Sequence, residues 1–380
     1  MTPRPGGPET GPGGLGSAVV IGTGLIGTSI ALALCEQGVT VWLTDHDPAA
    51  ARLAAELGAG KILPEPLGAV ERGEDAPEAA APGQRPQAQE GPWADLAVLA
   101  VPPAAVASSL AAAQARRLAR WYTDVASVKA LPLRQASELG CDLACFVPGH
   151  PLSGRERSGP AAARADLFLG RPWVICPGPL ARPEAIVAVA DLVRCCRGEL
   201  VQADADEHDH WVALVSHAPH VVAAAMAAQL TDAPGGALGL AGQGLRDVTR
   251  IAAGDAGLWT QILAANAALV ARVLADVAAD LAAVAEALAE AGVPQHSADH
   301  PSVKLLAGLL EEGSAGVGTY SSAPDTSSPE EPSAASASAM VIPSAPGPPA
   351  DPARRDQPGP PCARPVPGPG RRSGRSPYPG

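Results

Sequence analysis

Aromatic residues and lysines are scarce in this chain. Only 3% of its 380 residues are Phe, Trp or Tyr, and lysine occurs only at Lys61, Lys129 and Lys304. The formal net charge is −12, whereas nucleic-acid binding requires a concentrated basic field. We therefore expect no nucleic-acid partner, although a few well-placed arginines can still bind a small anion.

Three sequence signals are also missing. The seven cysteines contain no C-x-x-C spacing, the first residues lack the apolar core of a secretory signal, and no long uncharged apolar run suits a membrane span. We therefore expect reduced thiols in a soluble, cytoplasmic protein without membrane association.

Three stretches have no periodic apolar residues. Residues 1–16 and 71–92 are rich in Gly, Pro and polar residues, and residues 311–380 are rich in Ser, Pro, Gly and Ala. Such compositions bury too little apolar surface to offset the entropy that a chain loses on folding. We expect a disordered N-terminus, a loop insertion and a disordered tail, respectively.

Residues 17–203 alternate short apolar runs with helical segments. Runs that are apolar throughout and separated by helices predict an α/β Rossmann domain with a doubly wound, mostly parallel sheet. The predicted strands are Ser17–Gly22, Val39–Thr44, Asp95–Val101, Trp121–Val125, Leu143–Val147, Trp173–Cys176 and Glu199–Gln202.

Residues 204–310 have a helical pattern and predict an all-α C-terminal domain. One apolar stripe there repeats at spacings of three and four residues: Val270, Val273, Leu274, Val277, Leu281, Val284 and Leu288. Such a stripe forms either a helix-packing core or a subunit interface, and the pattern supports both interpretations.

Three glycines follow the first predicted strand and open a helix. Their G-x-G-x-x-G spacing permits a tight turn and a close approach of the backbone to a pyrophosphate, which the helix N-terminus binds. About 20 residues later, Asp45 can accept ribose hydroxyls and repel a 2′-phosphate, so NAD is expected rather than NADP. The predicted cofactor contacts are Gly22, Thr23, Gly24, Leu25, Ile26, Gly27, Asp45, Val101 and Pro102.

A histidine follows the Leu143–Val147 run. His150 stands between Gly149 and Pro151, at the carboxyl end of a strand, where open α/β sheets bind ligands and an imidazole can act as an acid or base. Ser127, in the segment TDVASVK, could hold this histidine or the substrate. Its alternative role is to cap the next turn.

Four histidines lie in the segment HDHWVALVSHAPH. His217 and His220 share one helical face, and Pro219 between them should kink the helix. In an ideal helix, His210 aligns with His217, whereas His208 points away. The segment lacks the carboxylate or cysteine pattern of a zinc site, so we expect no metal.

Two arginines lie four residues apart on one predicted helix face. Arg246 and Arg250 repel each other at this spacing unless an anion or an acid lies between them. A guanidinium can bind a carboxylate through two parallel hydrogen bonds. Alternatively, Arg250 forms a surface ion pair with Asp247 that contributes only about 0–1 kcal/mol.

Five segments together resemble the prephenate dehydrogenase family, which includes arogenate and cyclohexadienyl dehydrogenases: VVIGTGLIGTSIALAL, TDVASVK, GHPLSGRERSG, HDHWVALVSHAPH and LRDVTRIAAGD. They occur in the family's order, between residue 17 and about residue 290. The resemblance implies NAD-dependent oxidative decarboxylation of prephenate to 4-hydroxyphenylpyruvate in tyrosine biosynthesis. It also implies a homodimer formed through the helical domain.

The resemblance implies roles for individual residues. His150 accepts a hydrogen bond from the substrate hydroxyl, Ser127 helps to orient it, and Arg250 binds the substrate carboxylate. The resemblance favours His208 over His210 as a pocket residue, in conflict with ideal helix geometry. Further pocket residues by the same resemblance are Arg246, Glu156, His217 and His220.

Alternative functions stay open at this point. Arogenate carries an ammonium where prephenate carries a keto group. No acid lies close to His217 and His220 in the sequence, which favours prephenate unless Asp247 faces inward. Imine and β-hydroxyacid reductases lack the GHP histidine. A non-catalytic NAD-binding sensor would not need His150, Ser127 and Arg250 together.

Overall fold

A computed structural model describes residues 14–64, 93–153, 158–291 and 300–321. The strands are β1 (Ser17–Ile21), β2 (Thr40–Thr44), β3 (Lys61–Ile62), β4 (Ala94–Leu99), β5 (Ala119–Asp124), β6 (Gly149–Pro151), β7 (Pro172–Ile175) and β8 (Glu199–Gln202). The helices that connect them are α1 (Leu25–Glu36), α2 (Pro48–Glu56), α3 (Val106–Ala115), α4 (Ala130–Glu138) and α5 (Pro183–Cys195). The predicted insertion at 71–92 lies outside the described residues.

The first sheet is a parallel Rossmann sheet with the strand order β3-β2-β1-β4-β5. Its central strands are buried on both faces, as their continuous apolar sequences predict. The strand order reverses between β1 and β4, and a crevice at such a point is where these sheets bind ligands. The predicted fold class is therefore confirmed for this domain.

The second sheet has the order β6-β7-β8, in which β6 is antiparallel to β7. The prediction of a strand over Leu143–Val147 was wrong; in this range only Phe146 makes an isolated parallel bridge, to Tyr122. Residues Leu143–Cys145 form a 3₁₀ turn because the Asp142 carboxylate accepts the Ala144 N–H at 2.9 Å. As a result, His150 lies within β6 and not after the last strand.

The domain that begins at residue 204 is helical over its described residues, as predicted. Its helices are α6 (Ala205–Val212), α7 (Ala218–Ala228), α8 (Gly235–Leu238), α9 (Gln243–Thr249), α10 (Ala256–Ala265), α11 (Ala267–Ala291) and α12 (Pro301–Ser321). A π-helical turn, Ala213–His217, joins α6 to α7, and a 3₁₀ turn, Arg250–Ala253, follows α9.

The apolar stripe of α11 is only partly covered by this chain. Val270 is buried, whereas Leu281 and Leu288 are more than half exposed, at 58% and 55%. A stripe that served only as an internal core would be covered along its whole length. The exposed part therefore favours the subunit-interface interpretation.

Two helical segments differ from the sequence-based expectations. Helix α12 contacts α11 and continues to Ser321, so the expectation of a disordered tail from residue 311 was wrong for residues 311–321; residues 322–380 lie outside the described part. The helical run Ala205–Ala228 has a mean hydropathy of 1.4, enough by length and composition to cross a membrane. This is weak evidence, because buried core helices share the property and the run carries the buried His208 and His217.

Candidate functional site

The glycine loop connects β1 to α1 at the crevice. Gly22 has a φ of +99°, and a Cβ there would lie 2.2 Å from the Ala100 carbonyl oxygen. A Cβ at Gly27 would lie 1.9 Å from the Gly22 oxygen, whereas one at Gly24 would meet nothing within 4 Å. Backbone packing therefore requires the outer two glycines, and the middle one faces open space.

Gly24 is the N-cap residue of α1, and no side chain caps this helix end. The space beside Gly24 is therefore next to the N-terminus of the helix. Leu25 and Ile26, in the first turn, are half-buried. Their helix end offers backbone N–H groups to an anion, and the helix dipole favours negative charge there. Val101 and Pro102 follow β4 on the other side of the crevice, where Val101 Cγ1 would lie 3.4 Å from a Cβ at Gly22. These residues fit the diphosphate of a dinucleotide.

Asp45 follows β2 and closes the glycine loop. Its Oδ2 accepts the Thr23 N–H at 2.5 Å and the Thr23 hydroxyl at 2.8 Å, and its Oδ1 accepts the Asp47 N–H at 2.9 Å. The sequence predicted that this carboxylate lies beside the loop. The two hydrogen bonds to Thr23 were not predicted, although a threonine between the glycines was the available signal.

His150 lies at the centre of a buried polar cluster. Its side chain is on β6, and the residue is 8% exposed. Its Nδ1 lies 2.9 Å from His208 Nε2, and His208 Nδ1 lies 2.8 Å from Asp209 Oδ1. Burial, followed by the neighbouring His208 and Lys129, holds the pKa of His150 well below its ordinary value. His150 is therefore neutral at neutral pH and able to accept a proton.

Asp209 anchors this cluster to the Rossmann domain. Its two carboxylate oxygens accept the backbone N–H of Lys129 at 2.8 Å and of Ala130 at 2.9 Å, which caps the N-terminus of α4. The buried ammonium of Lys129 bonds to Asp124 and, at 2.6 Å, to the carbonyl of Gly149. One polar network thus joins the ends of β5 and β6 to the helical domain.

These anchoring residues were not predicted as part of the site. Asp124 and Lys129 are fully buried charged residues, and such residues are rare unless they are paired. Their position within TDVASVK, at the end of an apolar run, was the available signal. Ser127 in the same segment is half-buried, and its hydroxyl makes no hydrogen bond to the described residues.

The structure places His208 in the cluster, whereas His210 is exposed. The ideal-helix argument for His210 was therefore wrong, and the resemblance was right. His208 replaces His210 because of the π-helical turn Ala213–His217. This turn accommodates about one residue more than an α-helical turn, so it rotates α6 relative to His217 by about 100°. Pro219 lacks the N–H that would bond to the Val215 carbonyl, so a regular α-helix cannot continue there.

His217 and His220 line the same region. His217 is fully buried, lies 3.2 Å from the Asn266 amide nitrogen through its Nδ1, and has a pKa lowered to about 4 by burial. The His220 ring stacks on Trp259 with a centroid separation of 3.5 Å. His217 Nε2 and His220 Nδ1 have no partner among the described residues. Buried polar groups are nearly always hydrogen-bonded, so these two nitrogens are available to a water molecule or a polar ligand.

The arginines lie on the surface of the helical domain. Arg246 and Arg250 are exposed, on α9 and on the 3₁₀ turn that follows it. This segment packs against α7, and Gly254 after it lies so close to His220 that a Cβ would be 3.2 Å from the ring. Asp247 is exposed and accepts a hydrogen bond from Gln243 at 2.7 Å. Glu156 lies outside the described residues.

Two family models match the chain, one in each half. They are "Prephenate dehydrogenase, nucleotide-binding domain" over residues 80–202 and "Prephenate dehydrogenase, dimerization domain" over residues 204–299. A cyclohexadienyl dehydrogenase of Zymomonas mobilis is 31% identical over 264 residues, which are 67% of this chain and 82% of that protein. The chain belongs to the prephenate dehydrogenase family.

Within the prephenate dehydrogenase family, a similar protein is "Probable prephenate dehydrogenase NovF" of Streptomyces niveus. It is 44% identical over 255 residues, which are 67% of this chain and 64% of that protein, so the match spans slightly less than two thirds of NovF. The glycine loop and Asp45 precede the residues that the nucleotide-binding model matches. Their role is therefore inferred from the geometry of the loop.

Solved structures share the fold. An arogenate dehydrogenase of Synechocystis is 23% identical, with a TM-score of 0.58, and the match covers 80% of this chain and 99% of that one. A prephenate dehydrogenase of A. aeolicus, in complex with hydroxyphenyl propionate and NAD+, is 21% identical, with a TM-score of 0.63 and coverages of 80% and 98%. At these identities the likeness shows the architecture alone.

Proposed function

We propose that this chain is a prephenate dehydrogenase that uses NAD to decarboxylate prephenate oxidatively to 4-hydroxyphenylpyruvate, in tyrosine biosynthesis. The observation that carries the proposal is His150: a buried imidazole, held neutral, on strand β6 beside the end of β5, in a family of dehydrogenases. The reaction needs a group that accepts the proton of a ring hydroxyl in a dry site. A non-catalytic sensor would have no use for such a group.

The cofactor contacts that we propose are those of the glycine loop. The N–H groups of Leu25 and Ile26 would bind the diphosphate beside Gly24, and Asp45 would accept ribose hydroxyls and repel the 2′-phosphate of NADP. When bound, the nicotinamide ring accepts a hydride. We expect Val101 and Pro102 to contact the cofactor from the opposite side of the crevice.

His150 would act on the substrate through Nε2. Its Nδ1 is occupied by His208, so Nε2 is the nitrogen that remains for the substrate hydroxyl. The substrate loses a hydride from the carbon that bears this hydroxyl, its ring carboxylate leaves as CO₂, and the ring becomes aromatic. Ser127, half-buried at the end of β5, would help to orient the hydroxyl.

The substrate carboxylate would be bound by Arg250, with Arg246 as a second cation. Both guanidiniums are exposed next to the α7 helix that carries His220, and a guanidinium binds a carboxylate through two parallel hydrogen bonds. His217 and His220 would line the pocket with their unpartnered ring nitrogens. The proposed role of Glu156 rests on the sequence resemblance alone.

The described residues favour prephenate over arogenate. An arogenate ammonium requires a carboxylate, but Asp247 is exposed and bonded to Gln243, and Asp209 is occupied by His208 and the α4 backbone. A keto group requires only hydrogen-bond donors, which the histidine rings can supply. This absence of a suitable acid applies to the described part of the chain, which does not include Glu156.

Self-association and a cytoplasmic location are further parts of the proposal. The helical domain supports the first and the cysteines support the second. The match to a dimerization domain and the exposed Leu281 and Leu288 on α11 support self-association. The six described cysteines are free thiols, and burial raises the pKa of Cys176 to about 12, so that its thiol stays protonated. Free thiols are typical of a reducing compartment.

The deciding experiment is the steady-state rate of NADH formation by the purified protein with prephenate or arogenate, and with NADP in place of NAD. We expect turnover with prephenate and NAD. Turnover with arogenate alone would mean that an acid faces the substrate side chain. Binding of NAD without turnover on either substrate would contradict the enzymatic proposal and favour a sensor.

A further inference from the structure

Two contacts of hydrogen-bond length connect three side chains of the buried cluster in a row: His150, His208 and Asp209. Building on the proposed role of His150 as a base, we propose that His208 and Asp209 are positioning residues that hold His150 in the tautomer with an unprotonated Nε2. They also share the proton that His150 accepts. The proposal follows from the two contacts between these side chains, from the two backbone N–H groups that bond to Asp209, and from which of these atoms can donate.

The Asp209 carboxylate is held as an acceptor by the start of α4. The backbone N–H groups of Lys129 and Ala130, which can only donate, bond to its two oxygens at 2.8 and 2.9 Å. Both oxygens of Asp209 therefore act as acceptors in these contacts. The His208 Nδ1, 2.8 Å from Asp209 Oδ1, must therefore carry the proton of that contact.

Protonation of His208 at Nδ1 determines the next contact. A neutral imidazole has one N–H and one bare nitrogen, so Nε2 of His208 is an acceptor. His150 Nδ1, 2.9 Å away, is then the donor, and His150 Nε2 is left bare. The substrate hydroxyl can bond to that nitrogen. Through the two imidazole rings, the Asp209 carboxylate thus determines that Nε2 of His150 is the atom that accepts the proton.

The same line gives the accepted proton a place to go. When the substrate hydroxyl transfers its proton to His150 Nε2, the proton on His150 Nδ1 can move to His208 Nε2. The positive charge then lies on His208, beside the Asp209 carboxylate, and His150 is neutral again. When the product hydroxyl is re-formed, both protons return along the same path.

Charge on His208 is more favourable than charge on His150. His150 faces the ammonium of Lys129 as well as His208 and His217, all of which disfavour a second cation. Asp124 bonds directly to Lys129 and not to His150. His208 is fully buried, but its Nδ1 lies against a carboxylate, and this pairing offsets part of the desolvation cost.

The first test is ¹⁵N NMR of histidine-labelled protein without substrate, with each ring assigned by single His→Gln variants. We expect a protonated Nδ1 and a bare Nε2 in His150. In Asp209→Asn, one of the two oxygens becomes an NH₂ group that cannot accept, so His208 Nδ1 and the backbone N–H groups of Lys129 and Ala130 compete for a single oxygen. His208 Nδ1 is then no longer held as the donor, and a fraction of the His150 rings should carry the proton on Nε2. We therefore expect kcat to fall by about 10²-fold or more, with KM changed less than about threefold.

Two substitutions at His208 decide the proposal if Asp209→Asn fails to fold. The carbonyl of Gln in His208→Gln can accept from His150 Nδ1 but cannot carry the proton, so we expect the tautomer to be kept and kcat to fall about tenfold. Leu in His208→Leu offers no acceptor, so we expect a larger loss in kcat and a mixture of His150 tautomers. His210→Gln, on the exposed side of α6, is the matched control and should change neither quantity.

The outcomes separate this proposal from the proposed function. A protonated Nε2 in wild-type His150, or equal kcat values for His208→Gln and His208→Leu, would overturn the positioning role. A correct tautomer in a protein that turns over neither prephenate nor arogenate would contradict the function and leave the tautomer assignment standing.

Discussion

The histidine cluster and the arginine segment perform the two tasks of the proposed reaction in opposite environments. His150, His208 and Asp209 are buried and joined by hydrogen bonds of 2.8 and 2.9 Å. Arg246 and Arg250 are exposed, on a seven-residue helix and the 3₁₀ turn after it. Proton transfer depends on which ring nitrogen is protonated and on the local dielectric, so it needs a dry, rigid site.

Binding of a carboxylate has different requirements. A guanidinium remains charged at any exposure, and a solvated arginine can capture an anion that arrives from solution. The two regions should therefore respond differently to mutation, salt and pH. Changes in the buried cluster should appear in kcat, and changes in the exposed segment should appear in KM.

The largest effect should come from the buried cluster. We expect His150→Asn to lower kcat by about 10²- to 10⁴-fold, because Asn cannot accept the proton in the transition state. Binding of NAD, measured by isothermal titration, should be unchanged since the glycine loop is separate. His210→Gln serves as the control. Unchanged turnover in His150→Asn would remove the catalytic assignment and with it the contrast between the two regions.

A smaller effect, mainly in KM, is expected from the arginine segment. Arg250→Gln should raise KM for prephenate by about 10- to 100-fold, since a hydrogen bond to a charged group contributes about 1.5–3 kcal/mol. Arg246→Gln should raise KM by no more than about fivefold. Increasing the salt concentration should raise KM of the wild type and leave kcat unchanged, because exposed charges are screened. A fall in kcat with an unchanged KM would show that Arg250 acts in the chemical step instead.

Because its buried histidines are neutral, the folded protein should lose a moderate part of its free energy of unfolding as the pH falls. Burial lowers the pKa of His217 to about 4, below the value of about 6.5 in an unfolded chain. As the pH falls from about 6.5 to 4, the unfolded chain binds a proton that the folded chain does not, so stability decreases. One such group contributes a slope of at most about 1.4 kcal/mol per pH unit.

Urea unfolding between pH 7 and pH 4 measures this slope. His217→Gln should have a shallower dependence than the wild type, whereas His210→Gln, in which an exposed histidine is replaced, should keep the wild-type slope. Identical slopes in all three proteins would show that His217 is not buried in its neutral form.

The smallest effect concerns the exposed acid between the arginines. Asp247 bonds to Gln243 at the surface, so Asp247→Asn should change kcat/KM for prephenate and arogenate by less than about twofold each. The ratio of kcat/KM for prephenate to kcat/KM for arogenate should therefore change little. A selective loss of arogenate turnover would place Asp247 in the substrate pocket and weaken the distinction between the two regions.

Features that depend on neighbouring residues were predictable. The glycine loop follows from strand, turn and helix signals within Ser17–Gln37, and the structure has β1 and α1 where these signals placed them. The histidine of the GHP segment was predictable as an acid or base because Gly149 and Pro151 restrict its backbone. Its location within β6 was not, since β6 forms only by pairing with the distant β7.

Features that depend on helix phase or on distant contacts were not predictable. His208 replaces His210 because a π-helical turn changes the register of the helix, and no spacing rule for an ideal helix contains that turn. The roles of Asp209 and Lys129 arise from contacts that span 80 positions of sequence in one case and 20 in the other. Nothing in the local sequence specifies such partners.

By itself, the sequence determined the class of the fold, the nucleotide loop and the set of residue types available for chemistry, because these follow from local periodicity and short-range sterics. Only the tertiary structure decided which histidine contacts His150, which carboxylate bonds to that histidine and which charged groups remain exposed to solvent. Those choices depend on desolvation and on hydrogen bonds between elements that meet only when the chain folds.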